Sequence, residues 1–424
     1  MTGQVERLLS AAAAARQQGR EEEAMRHVST ALSVAPDNPL ALNASGVALL
    51  QQGQAEAAKA RFKRAVEADP AAPALWMNLA KAERLAGDDE GERFALERAL
   101  QIDQRHLMAN IRLAELHERR GETRDAHLRW AGVLQLTASL GDVAELKPMI
   151  AHGQAYVAEQ TATLAMRLDA RLGTQLAASD ETTRRRFAAA RDIALGRRRA
   201  YANQCAGVFY PFLPADEFFD RRHFPWFADL EAAAPAIRTE LEALLASDHP
   251  DLAPYVEQPA GTPDNIWSKL NNSLDWSALY LWKYGEPQTR VLEACPATAA
   301  AVAAVPLAKI PGRGPTVFFS ILRPGSRIPP HTGVTNVRAI VHLPLVVPSG
   351  CGFRVGGEVR EWKEGHAFAF DDTIEHEAWN ESDQPRAVLI LDTWNPHLTQ
   401  EERLLLAAFF EETNEGVAGG KSFD

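Results

Sequence analysis

Glycines at positions 19, 53, 87 and 121 stand 34 residues apart, and no other feature constrains the N-terminal part of this chain so tightly. Small residues keep the same step: Ala12, Gly46, Ala80 and Ala114 form one set, Ala31, Ala65 and Ala99 another, and Pro36 and Pro70 repeat at it too. A helix, a glycine turn, a second helix and a terminating proline generate such a pattern, because paired helices need small side chains where their backbones approach. The fourth unit is weaker, with Val133 in place of the alanine, as suits a terminal repeat.

The period and residue types resemble tetratricopeptide repeats, four of them over about residues 5–138. An all-α solenoid over 1–138 exposes a concave surface, for which a peptide or protein partner is expected. A scaffold that packs only against its own chain, or self-associates, is the alternative. Residues 139–200 read as a helical connector. Its basic runs, Arg184-Arg185-Arg186 and Arg197-Arg198-Arg199, read as solvated helix faces rather than a nucleic-acid site. The net charge of −11 argues against general nucleic-acid or membrane binding. No apolar run approaches the roughly 20 residues needed to cross a bilayer. Three widely spaced cysteines, Cys205, Cys295 and Cys351, give neither a disulfide framework nor a zinc ribbon, and a cytoplasmic location is expected.

From Tyr201 the character changes. Aromatics and prolines rise, and residues 228–246 carry apolar residues at helical spacing. From about residue 315 the spacing predicts short strands separated by Pro/Gly turns: 318–322, 338–347, 353–355, 358–362, 367–370 and 387–393, closed by a helix over 400–411. The expected fold is α+β multidomain: the helical solenoid, the connector, then a β-sandwich or jelly roll over 201–424.

Two histidines of this C-terminal part stand out among the 12 in the chain. His331 follows Pro329-Pro330 at a strand-to-loop transition, and His376 precedes a strand after Asp371-Asp372. Either alone reads as a surface or structural histidine. Arg386 changes the balance, because it opens an apolar strand where an unpaired charge is costly to bury. A carboxylate ligand accepting two parallel hydrogen bonds answers that cost. Two neutral imidazoles and a guanidinium can hold a ferrous ion and a dicarboxylate.

The chain also resembles a known family, the aspartyl/asparaginyl β-hydroxylases. The matching residues are Trp276, Ser320, Pro324-Gly325, His331-Thr-Gly-Val-Thr-Asn336, Arg338, His342, Trp362, Phe370-Asp-Asp372, Glu375-His376-Glu377, Arg386 and Asp392-Thr-Trp394. The resemblance implies a double-stranded β-helix (cupin-like) catalytic domain and an Fe(II)- and 2-oxoglutarate-dependent dioxygenase. It implies His331 and His376 as metal ligands, with His331, His376 and Arg386 as the catalytic set. Arg386 and Ser320 would hold the distal carboxylate of 2-oxoglutarate, with His342, Trp276 and Arg338 also in its pocket. Hydroxylation at the β-carbon of Asp or Asn in a peptide or protein is the implied reaction.

Two positions bear on that expectation. Gly333 stands where an H-x-D/E triad would place its acid. The family is characterised by glycine there with water in the vacant position, and two neutral histidines with a dianion still balance Fe²⁺. Asp371, Asp372, Glu375 and Glu377 are nearby acids better read as turn or supporting residues. Ile340 stands where animal members carry a second arginine, and Arg338 shares its face of the strand, so that it either reaches toward the carboxylate or forms a salt bridge at the rim. Alternative readings are a hydroxylase of a free or carrier-bound amino acid, a halogenase using the space at Gly333, a zinc cupin and a non-catalytic repeat protein.

Overall fold

The structure is a computed structural model describing residues 2–138, 143–247 and 249–416. It divides into two compact units, Met1–Ala178 and Ser179–Asp424. Of the ranges expected from sequence, 139–142 and 417–424 lie outside the described residues.

In the first unit, helices pair in sequence: α1 (Thr2–Gln17) with α2 (Glu21–Val34), α3 (Pro39–Gln51) with α4 (Ala55–Ala68), α5 (Pro73–Ala86) with α6 (Asp89–Ile102), and α7 (Leu107–Arg119) with α8 (Thr123–Thr137). The glycine register has a conformational cause. Gly19, Gly53, Gly87 and Gly121 sit in the turns at φ of 72°, 74°, 77° and 70°, a left-handed region that side chains disfavour. The small-residue register has a packing cause: a Cβ on Gly46 would come within 2.6 Å of the Phe62 ring. Pro39 and Pro73 start their helices, where the missing N–H costs nothing. Helix α9 (Lys147–Ala177) packs on α8: Trp130 is buried against Met149, Tyr156 and Val157, and Gly153 leaves room for its ring. This unit therefore runs on to Ala178, while α10 (Glu181–Ala194) belongs to the second.

The second unit is built on strands β1 (Ala253–Pro254), β2 (Trp276–Lys283), β3 (Glu286–Pro287), β4 (Val317–Leu322), β5 (Arg327–His331), β6 (Arg338–Val346), β7 (Cys351–Val355), β8 (Glu358–Arg360), β9 (Phe368–Phe370), β10 (His376–Asn380) and β11 (Arg386–Trp394). The larger sheet has the order β1-β2-β4-β11-β6-β9, with β3 on β2, and the smaller has β5-β10-β7-β8. From β4 onward the chain passes back and forth between the sheets, with the β7–β8 hairpin kept within the smaller one, and the pairings are antiparallel, which makes this a double-stranded β-helix.

Strand alternation sorts the larger sheet into two faces. Leu279, Phe319, Ile321, Val341, Leu343, Leu389 and Leu391 turn outward into a core shared with α11 (Phe227–Ala232), α12 (Ala234–Ala246), α13 (Thr289–Ala294) and α14 (Pro296–Ala303). Their neighbours in sequence turn inward, where Trp276, Leu322, Phe353, Val355, Phe370 and Ala378 form a second core between the sheets. The helix expected over 228–246 is interrupted between Ala232 and Ala234, and Pro235 lies in the first turn of the second piece, since a helix-interior proline lacks the N–H to continue the ladder. Strand β5 carries Pro329 and Pro330, which a central strand would reject. It lies at a sheet edge, where the missing donors cost no ladder bonds. Helix α15 (Gln400–Gly416) closes the unit.

Candidate functional site

Two imidazoles face each other across the first strand pair of the smaller sheet. His331 ends β5 and His376 begins β10, and the two are cross-strand partners with ring centroids 4.1 Å apart. In each ring Nδ1 donates to a backbone carbonyl two residues earlier: His331 to Pro329 at 2.8 Å, His376 to Ile374 at 3.0 Å. These bonds fix the tautomer and leave both Nε2 atoms as lone-pair donors, the form a metal requires. Burial pushes the His331 imidazole below its ordinary value and His376 well below it, with His331 adding to the effect on His376. Both rings are therefore neutral near pH 7.

Deeper, in the core between the sheets, lies Arg386, 1% exposed at the start of β11. Among the described residues no carboxylate pairs with it, and its Nε has no hydrogen-bond partner in the protein. Burial pulls the guanidinium down to about 10, so it still carries its charge at neutral pH. On β6, His342 faces the same core. Burial, aided by the Arg386 charge, holds it well below the imidazole range, and its Nδ1 also lacks a partner. Ser320 on β4 is fully buried, and its Oγ accepts a 3.0 Å hydrogen bond from Trp276 Nε1. The core between the sheets thus holds a buried cation and unpartnered nitrogens on Arg386 and His342, and among the described residues no carboxylate pairs with Arg386. Such an arrangement is costly unless an anionic ligand enters it.

Arg338 is placed differently from the expectation that it joins the co-substrate. Its Nη1 donates to Asp392 Oδ2 at 2.8 Å, and both residues are buried. It lies four residues along β6 from His342, roughly 13 Å by strand geometry. Asp392 also accepts from the Thr316 N–H, so the pair ties β6 and β11 to the segment before β4.

The acids near the histidines are engaged elsewhere. Glu375 and Glu377 both bind Arg354, at 3.0 and 2.6 Å, and Asp371 accepts from Thr373 and Asn203. Asp372 sits against Gly333, whose N–H donates to the Asp372 carbonyl at 2.6 Å. Any Cβ on residue 333 would run into the Asp372 carboxylate. The glycine is sterically required, and an acid cannot be placed there without moving the 371–373 turn. Among the described residues, the one set of three or more His, Cys, Asp or Glu ligand atoms within 4.8 Å lies in the helical unit, at His117, Glu122 and Asp125. There Glu122 is occupied by His117, Arg93 and Arg120.

Several residues of this core had no role assigned from sequence. Trp267 meets His331 edge-on at 4.9 Å, and Tyr255 stacks on Trp276 at 3.9 Å. Trp362 stacks on His342, and Arg386 lies 5.2 Å from its ring centre. The signal was the density of tryptophan between 262 and 283 and at 362, which reads equally well as core.

Fold and site define the class: a double-stranded β-helix with two facing histidines and a buried arginine in the core between its sheets. Residues 231–396 match the family model described as Aspartyl/Asparaginyl beta-hydroxylase, and residues 15–82 match a tetratricopeptide repeat model. The chain thus carries an aspartyl/asparaginyl β-hydroxylase family domain together with tetratricopeptide repeats. Among relatives, the ornithine lipid ester-linked acyl 2-hydroxylase of Rhizobium tropici is 36% identical over 181 residues, 42% of this chain and 60% of that protein. The aspartyl/asparaginyl beta-hydroxylase of Homo sapiens is 37% identical over 140 residues, 33% of this chain and 18% of that protein. The human aspartate beta-hydroxylase domain-containing protein 2 is 31% identical over 210 residues, 48% of this chain and 53% of that protein. The chain therefore spans between about a fifth and three fifths of the length of these relatives. The solved structure of the MamA protein covers 40% of this chain and 96% of its own, at 18% identity and a TM-score of 0.31.

Proposed function

We propose that this chain is an Fe(II)- and 2-oxoglutarate-dependent hydroxylase acting on the β-carbon of Asp or Asn in a peptide or protein. The observation that carries the reading is one chamber holding both the His331/His376 pair and a buried Arg386 without an acid. The donor set fits the group: two neutral imidazoles with free Nε2 atoms suit a ferrous ion, and Arg386 with Ser320 suits a carboxylate. His331 and His376 would hold the metal, Arg386 and Ser320 the far carboxylate of 2-oxoglutarate, and His342 would lie beside its length. When bound, iron with 2-oxoglutarate and dioxygen supplies the oxidising power to hydroxylate an unactivated C–H bond.

The chain's own residues do the positioning. The Pro329 and Ile374 carbonyls orient the two imidazoles. The Trp276 indole directs the Ser320 hydroxyl, so its proton is free to be offered to a carboxylate. Phe353, Phe370, Trp267 and Trp276 line the chamber and keep water from the reacting centre. The tetratricopeptide repeats supply a surface for a polypeptide partner, which favours a peptide or protein substrate in a cytoplasmic setting.

A second substrate reading is an acyl chain, favoured by the 36% identity to the lipid hydroxylase and by the aromatic lining. Both readings share the iron chemistry. The test is succinate formation from 2-oxoglutarate by anaerobically iron-loaded full-length chain, followed by mass spectrometry of trapped substrates. Iron-dependent succinate and a gain of one oxygen on an Asp- or Asn-containing peptide support the first reading, and the same gain on a lipid supports the second. No iron-dependent succinate with any candidate, and no change on His331→Ala, would reject both.

A further inference from the structure

The indole N–H of Trp362 is buried and lacks a partner in the protein, as are Arg386 Nε and His342 Nδ1. These three orphaned atoms belong to side chains in mutual contact: the Trp362 and His342 rings stack at 5.6 Å with 6° between their planes, and the Arg386 guanidinium lies 5.2 Å from the Trp362 ring centre. Trp362 reaches them from the loop after β8, packed against the core between the sheets. The indole and guanidinium N–H groups can only donate; leaving one such buried donor unpaired is costly, and leaving two side by side is the pattern of a site whose acceptor is a ligand with several oxygens. The protein has already used its local acceptors otherwise: Ser320 Oγ receives the Trp276 indole, and Asn380 Oδ1 receives Ser382.

We infer that Trp362 is a binding residue for the dicarboxylate, donating its indole N–H to the carboxylate that Arg386 holds. The aromatic face of the same side chain supports the guanidinium, so one residue both carries the cation and adds a donor beside it. A carboxylate offers about four lone-pair sites, enough for Arg386, Ser320 and Trp362 together. This inference rests on the oxygenase reading of the site and extends it to a residue with no assigned role.

The test uses the full chain loaded with Zn²⁺, which is diamagnetic and does not turn over, and oxalylglycine as a non-reacting dicarboxylate. Binding is read by calorimetry, and the indole N–H resonance of Trp362 is followed in nitrogen-labelled protein. Trp362→Phe keeps an aromatic face and removes the donor. It is expected to weaken oxalylglycine binding about tenfold or more, the worth of a hydrogen bond to a charged acceptor. Trp362→His keeps an N–H and is expected to recover part of that loss. In wild type the indole resonance is expected to move when oxalylglycine is added. Wild-type affinity in Trp362→Phe overturns the inference, as does a Trp362 resonance that stays in place while oxalylglycine binds. The resonance decides even if the variants do not fold. Absence of any dicarboxylate binding by wild type overturns the oxygenase reading as well.

Discussion

His331 and His376 are cross-strand partners, and each donates Nδ1–H to the carbonyl two residues before it. The backbone of one strand pair therefore sets both tautomers and the separation of the rings, and the proposed metal site rests on sheet register. Removing either imidazole of the proposed site has a defined consequence: His331→Ala and His376→Ala are each expected to lose metal binding by more than the 10–100-fold typical of outer-shell substitutions. Metal titration of the two variants beside wild type checks this, with circular dichroism to confirm that the fold persists.

Arg386 is a liability to the empty protein. Replacing it with methionine removes an unpaired buried charge and is expected to stabilise the ligand-free chain by about 1–4 kcal/mol. The same variant is expected to lose dicarboxylate binding. Thermal melting without ligand and calorimetry with 2-oxoglutarate measure the two halves, and a fall in both stability and affinity would mean that the charge is satisfied inside the protein.

Arg338 behaves oppositely. Arg338→Met strands Asp392, whose carboxyl burial already pushes up in spite of the arginine. Breaking one partner of a buried pair costs about 3–5 kcal/mol, so the expected outcome is a large drop in melting temperature. Dicarboxylate affinity of the protein that remains folded should change little. A selective loss of affinity at unchanged stability would place Arg338 in the pocket after all.

Gly333 admits no side chain. Gly333→Asp is expected to destabilise the second unit by about 1–3 kcal/mol through the clash with Asp372, without gaining metal affinity. Urea unfolding and metal titration of the variant test both statements.

Much of this was legible in the sequence. The glycine register announced left-handed turns because only glycine adopts them without strain, and strands β4, β6 to β9 and β11 announced themselves by Pro/Gly punctuation, whereas β10 fell in none of the expected ranges. Strand β5 was hidden, because Pro329-Pro330 reads as a loop unless the strand is known to lie at an edge. The break at Pro235 was hidden by an unbroken apolar spacing on either side. The facing of His331 and His376 and the burial of Arg386 at the start of its strand both follow expectations that residue type and position had raised. The partner of Arg338 could not, since Asp392 is 54 residues away and joins it only through sheet order. Trp362 was visible as a residue but not as a donor, because an orphaned N–H exists only in three dimensions.

Three imidazoles of the site, His342 and His376 buried and His331 partly so, make stability depend on pH. His331, His342 and His376 all have folded values below the 6.5 of the unfolded chain. Above pH 6.5 both states leave them neutral, and their contribution is fully present. As pH falls below 6.5 the unfolded chain takes up protons that the folded protein resists, so stability declines. Urea midpoints of the metal-free chain are expected to drop from pH 7 toward pH 5, and His342→Phe is expected to flatten part of that slope.

The most direct test of the site is a crystal structure of the full chain with Mn²⁺ and oxalylglycine. The account predicts one ion bound by Nε2 of both His331 and His376, with the far carboxylate of the ligand on Arg386. An ion bound elsewhere, or a ligand that leaves Arg386 without an anion, would contradict it.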